Sequence, residues 1–142
     1  GAAIDFLRTY ADACHHGKEE DILFVRLSGK NIAENHARTM QQLKDDHVYG
    51  RKTVSALNNT RKNYMNGIQD ALNEMCSLMQ DLIELYPRHI HTEDHEFFLP
   101  CMKYFKRKEL DAMLKEFDDF DRRMVHDRYK KVVEHWEKER GL

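Results

Sequence analysis

The sequence predicts an all-α protein, an antiparallel helical bundle. Three observations predict it. Apolar residues recur at three- and four-residue spacing along nearly the whole chain. No segment alternates apolar and polar residues at period two, and no glycine-rich phosphate loop occurs. Only two prolines and six glycines punctuate 142 residues, too few for the frequent turns of a β-sandwich. A chain of this length is one ordinary domain, spanning 1–142.

The first helix is predicted over about 3–27, with Ile4, Leu7, Tyr10, Ala11, Cys14, Ile22 and Val25 as its apolar positions. Ser28-Gly29-Lys30-Asn31 ends it, and Asn31 with Glu34 reads as a capping box for the next helix. The second helix is predicted over about 32–57, with Ile32, His36, Met40, Leu43, His47, Val54 and Leu57 near one stripe. Asn58-Asn59-Thr60 and Asn66-Gly67 are breakers, so a frayed connection is expected between them. The third helix is expected over 68–105, burying Ile68, Ala71, Leu72, Met75, Met79, Leu82, Ile83 and Tyr86, with a kink near Pro87. The last is expected over 108–137, burying Leu110, Met113, Leu114, Phe117, Phe120, Met124, Val125 and Val132 beneath a densely charged outer face.

Charge excludes several functions. Charged residues are 34% of the chain but sum to −2, which gives no field for nucleic acid or an anionic membrane. The longest apolar run, 97–102, is far too short for a bilayer span, and no signal-peptide pattern opens the chain. Cys14, Cys76 and Cys101 form no Cys-x-x-Cys pair, which argues against a thiolate zinc site and for reduced thiols in a cytoplasmic protein. No serine or cysteine stands in a nucleophile motif with a histidine, so hydrolysis is not expected and an enzyme is the less favoured reading.

Nine histidines are many for this length, and they cluster. His15 to Phe24 reads HHGKEEDILF, and His89 to Phe98 reads HIHTEDHEFF. Each holds a histidine, three residues, a glutamate, another acid, and apolar residues ending in phenylalanine. Residues four apart stack on one helix face, so an imidazole and a carboxylate can reach one point. Two such helices facing each other offer two nitrogens and two carboxylates, a mixed set suited to iron or another first-row metal. One such pair is ordinary helix-surface chemistry. Two with the same trailing pattern are a candidate metal site. His47, on the inward stripe of the second helix beside Gly50, adds a third imidazole. His36 lies eleven residues earlier, ~16 Å along a helix, and is too far to share the site. His91, His95 and His135 are read as surface residues.

The segments ADACHHGKEEDILF, DDHVYGRKTV and LYPRHIHTEDHEFFLP resemble those of the hemerythrin-like, HHE cation-binding domain family. The resemblance implies a four-helix up-and-down bundle holding a non-heme di-iron centre, with zinc or manganese as other occupants. It implies His15, Glu19, His47, His89 and Glu93 as metal ligands, with the two glutamates bridging. His16 takes a position that is a carboxylate ligand in some relatives and joins the set. The implied partner is dioxygen or another small diatomic or peroxide ligand, in oxygen binding, oxygen sensing or iron handling.

Two departures qualify this. The family ordinarily opens with one more helix carrying a histidine ligand, and this sequence starts on what resembles the second. Oxygen carriers also place two histidines one turn apart on the third family helix, whereas Leu43 and Arg51 flank His47 here. Both argue for a ligand-poor centre, completed by waters, by His126 or by a partner's histidine. An apolar groove left by a missing helix would favour a homodimer. The competing readings are a metal-responsive protein-interaction module and a metal-free structural bundle.

Overall fold

The computed structural model describes residues 2–140, with side chains described over residues 3–124. The described residues are all-α, in four helices. The chain divides into two units, Gly1–Phe105 and Lys106–Leu142. Three helices make up the first unit, and one helix makes up the second.

Helix α1 covers residues 2–28. It is α-helical over Ala2–Phe6 and Phe24–Ser28, but winds as π-helix over Leu7–His16 and Glu19–Leu23. The wider winding shifts the buried face away from a strict α stripe. Tyr10 and Val25 are therefore exposed, whereas Phe24 and Leu27 are fully buried. Helix α2 is Glu34–Met65. It starts after Ala33, and no side chain caps it, so the expected Asn31–Glu34 box does not form. Tyr104 ties this end down instead. Its hydroxyl accepts the Ala33 N–H at 3.0 Å and bonds His36 Nδ1 at 2.7 Å. Asn58-Asn59-Thr60 lies inside α2, because Leu57 and Thr60 are buried there and packing overrides weak propensity. Gly67, at φ +87°, makes the turn that follows.

Helix α3 covers residues 71–102. It is α over Ala71–His91, π over Thr92–Phe97 and α again over Phe98–Met102. It runs through Pro87, and the change of winding comes about a turn later. Its buried residues Ala71, Leu82, Leu85 and His89 face inward, so Ile68, Leu72, Met79 and Ile83, expected inside, are exposed. Helix α4 is Arg107–Arg140. Glu109 accepts the Lys106 N–H at 2.8 Å at its start, which satisfies a donor near the helix terminus. The side chains of Val125, His126, Val132 and His135 lie outside the described residues. No described helix is long and apolar enough to cross a membrane.

Two apolar layers flank the middle of the first unit. Ile4, Val54, Leu57 and Leu82 form one, with Leu7, Met75, Leu78 and Tyr86 against them. In the other, Phe24 meets Phe97 edge to face at 5.8 Å, among the buried residues Leu27, Leu43 and Cys101. Phe24 also stacks on the His47 ring at 6.0 Å, so this layer borders the histidine cluster directly.

Candidate metal centre

The helices bring all six sequence-derived candidates together. His15, His16 and Glu19 come from α1, His47 from α2, and His89 and Glu93 from α3. His16, His47 and His89 each offer a nitrogen within 4.8 Å of the others. His15, Glu19 and Glu93 form a second triad by the same measure. Each carboxylate lies between imidazoles. Glu19 is 3.1 Å from His15 Nε2 through one oxygen and 3.3 Å from His47 Nε2 through the other. Glu93 is 3.0 Å from His89 Nε2, and 3.8 Å from both His47 Nε2 and His15 Nε2. The two carboxylates thus connect the two triads.

Burial makes this arrangement costly unless something neutralises it. Glu19, Glu93, His16, His47 and His89 are all buried, whereas the His15 side chain is 48% exposed and forms the open edge. Among the described residues, the buried polar atoms without an aligned hydrogen bond include His16 Nδ1, both Glu19 oxygens, His47 Nε2, His89 Nε2 and Glu93 Oε1. Arg61 Nε, near the end of α2, is the remaining one. Buried polar groups are normally satisfied, and an exception calls for a cause such as an ion. A cation among these nitrogens and carboxylate oxygens would satisfy them, so the residues present fit a metal.

Outer carboxylates orient the imidazoles. Glu20 bonds His47 Nδ1 at 2.6 Å, and Asp46 meets His89 Nδ1 at 3.4 Å. Each carboxylate can only accept, so each ring donates from Nδ1 and keeps Nε2 turned toward the cluster. Arg51 Nε donates to Asp12 at 2.6 Å, and the same guanidinium donates to Glu20 at 2.6 Å. Asp12 also stands 3.4 Å from His16 Nδ1. Sequence reasoning missed Asp12, Glu20, Asp46 and Arg51. The available signal was spacing: Asp12 stands four before His16, and Arg51 four after His47. A cavity of about 180 Å³ lies alongside, lined by Asp12, His16, Arg51 and Tyr86 among others.

Gly50 does face α3, yet an added Cβ would meet Leu85 at an ordinary 3.5 Å. Close approach there does not require glycine. His36 is buried but belongs to the Tyr104 pair, and Tyr49 is exposed.

The imidazoles titrate far apart. Burial, then the neighbouring His47 and His89, holds His16 down at about 4. Burial also pulls on His47, but Glu19, Glu93 and Glu20 outweigh it and push His47 up to about 9. Glu93 contacts raise His15 against the opposing effect of burial. Burial favours the neutral form of Glu93, but His15, His47 and His89 outweigh it and hold the carboxyl well below the usual range. Burial and the adjacent Glu93 raise Glu19.

A pH dependence follows. From the ordinary value of 6.5 up to about 9, folded His47 keeps a proton that the unfolded chain has released. The His47 contribution to metal-free stability is therefore fully present below 6.5 and is lost as pH rises through 9; His15, also raised, acts in the same sense. His16 and Glu93, both held down, lose their contributions only as pH falls, so the alkaline limb is diagnostic. A bound metal must displace the His47 proton, so its affinity should rise about tenfold per pH unit up to that pKa. Thermal melts of stripped and loaded protein from pH 6 to 9 should diverge steadily, and parallel curves would contradict this proton inventory.

Comparison with protein families matches residues 1–99 to the hemerythrin HHE cation binding domain. No curated protein and no solved structure gives a significant match. The matched stretch contains all six candidate ligands and the carboxylates that orient them, and cation binding is the property its description carries. By sequence match, by helical fold and by its histidine and carboxylate cluster, the chain belongs to the hemerythrin HHE cation-binding domain family.

Proposed function

We propose that this chain is a non-heme iron protein with a dinuclear centre that engages dioxygen or another small oxidising ligand, in oxygen sensing or iron handling. The observation that carries this reading is the pairing of two triads through Glu19 and Glu93. Two buried carboxylates, each reaching imidazoles on both sides, match what two adjacent divalent ions need. Mixed nitrogen and oxygen donors without a thiolate suit iron, with zinc or manganese as competitors. Iron held there would supply one-electron chemistry toward a small oxidant.

The chain's own residues would do the rest. His47 and His89, oriented by Glu20 and Asp46, present Nε2 as donors. Phe24 and Phe97 exclude water on one side. The cavity beside His16 and Tyr86 gives a diatomic or peroxide ligand room to approach. Elemental analysis with visible spectra, with and without oxygen, tests the reading. Iron near two per chain and an oxygen-dependent charge-transfer band are expected, and gently purified protein free of iron, manganese and zinc would defeat it.

A second reading, a metal-responsive interaction module, is favoured by the buried charge that metal binding would relieve. Metal occupancy would then set the stability of the fold. A large metal-dependent shift in melting temperature without an oxygen-dependent band would select it.

A further inference from the structure

Gly50 lies inside helix α2, where glycine is less stable than alanine because it loses more backbone freedom on folding. Packing does not account for it. An added Cβ would meet Leu85 at 3.5 Å and the Tyr86 hydroxyl at 3.7 Å, both ordinary contacts. The absent methyl instead leaves room on the wall of the cavity of about 180 Å³, which Gly50 and Tyr86 both line. A cavity of about 150 Å³ is enough to hold benzene, so a compact organic molecule fits in this one.

The chemistry of the lining selects that molecule. Leu7 and Val54 supply apolar wall, and Val54 is buried. Arg8 is exposed and marks the solvent side. Among the described residues, neither the Arg8 guanidinium nor the Tyr86 hydroxyl has a hydrogen-bond partner. Asp12 is the one carboxylate on the lining, and Arg51 already holds it at 2.6 Å. The cavity thus offers two spare donors, one of them a cation, and no spare anion.

We propose that this cavity binds a small monocarboxylate with a compact apolar body, about the size of benzoate. The carboxylate accepts from Arg8 and Tyr86, and a hydrogen bond between two charged groups is the stronger kind. The body lies against Leu7 and Val54. Binding does not depend on the reading of the central cluster, because neither donor belongs to it. Its consequence there does rest on the proposed function: a filled cavity closes the approach beside His16 to a small oxidant.

The test is calorimetric titration of the full chain, with its central metal bound, using benzoate and its neutral isostere benzamide. One benzoate per chain is expected, with benzamide at least about fivefold weaker. Arg8→Gln and Tyr86→Phe should each weaken benzoate about fivefold, since each removes one hydrogen bond to the carboxylate. Gly50→Ala should also weaken it while raising the melting temperature, because a methyl enters the cavity at a helical position that favours alanine. Far-UV circular dichroism and central metal content should be unchanged in all three variants. Benzoate held by the central metal instead would ignore Arg8→Gln and vanish when a chelator strips the metal, and either result would overturn the proposal. Benzamide binding as tightly as benzoate, or no benzoate step up to roughly 10 mM, would overturn it too.

Discussion

Glu93→Gln should empty the central cluster of tightly held metal. The substitution keeps the side-chain volume but removes a carboxylate that faces three imidazoles, His15, His47 and His89. Even an outer orienting group is worth about 10- to 100-fold in metal affinity, so a carboxylate among the donors should cost at least the upper figure. The metal-free variant should also be less stable. His47 holds its proton through Glu19, Glu93 and Glu20, so removing Glu93 leaves buried positive charge less well compensated. Breaking a buried charge pair from one side costs about 3–5 kcal/mol, although His47 can release its proton and recover part of this. Metal per chain and melting temperature, measured on Glu93→Gln beside the unsubstituted chain, check both statements. Unchanged metal content in the variant would remove Glu93 from the ligand set.

Arg51→Lys should weaken metal binding almost as much as Arg51→Met, despite keeping the charge. Arg51 uses two different nitrogens on two different carboxylates, Asp12 and Glu20, at 2.6 Å each. A lysine ammonium is one point charge and cannot span both with that fork. Without the fork, Glu20 loses its second partner and the force that keeps it on His47 Nδ1. Asp12, beside His16, loses its anchor as well. Metal affinity should fall about 10- to 100-fold, the usual cost of a lost orienting group. The direct loss of stability should be small, ~1 kcal/mol, because the Arg51 side chain is 36% exposed and its partners 29%, where solvent screens the pairs. Competition with a metal chelator gives the affinity, and chemical denaturation gives the stability. Full rescue by lysine would show that Arg51 acts through charge alone.

These two residues differ in how far the sequence reveals them. Glu93 is legible because its partner His89 is four residues away on the same helix, and helical repetition alone brings them together. The same holds for His15 with Glu19. The inward position of His47 follows from its stripe with Leu43 and Val54. Arg51 is legible only as a charged residue next to the site. Its partners are on α1, and nothing local says that α1 and α2 meet with those faces.

Helix existence was legible from periodicity, and the helical class with it. Helix ends were less so, because they depend on contacts between elements. Asn58-Asn59-Thr60 reads as a break by local propensity, yet Leu57 and Thr60 are buried and the helix continues to Met65. Asn31 and Glu34 read as a capping box, yet Tyr104, far along the chain, ties down the start of α2.

By itself, the sequence determined an all-α chain with imidazole and carboxylate pairs at one-turn spacing, since side-chain period is a local property of the backbone. Only the tertiary structure decided the winding of α1 and α3, the two triads, and the pairing of Glu20, Asp46 and Arg51 with the cluster. Winding and cross-helix pairing depend on which faces pack together, and packing energy is shared among residues distant in sequence.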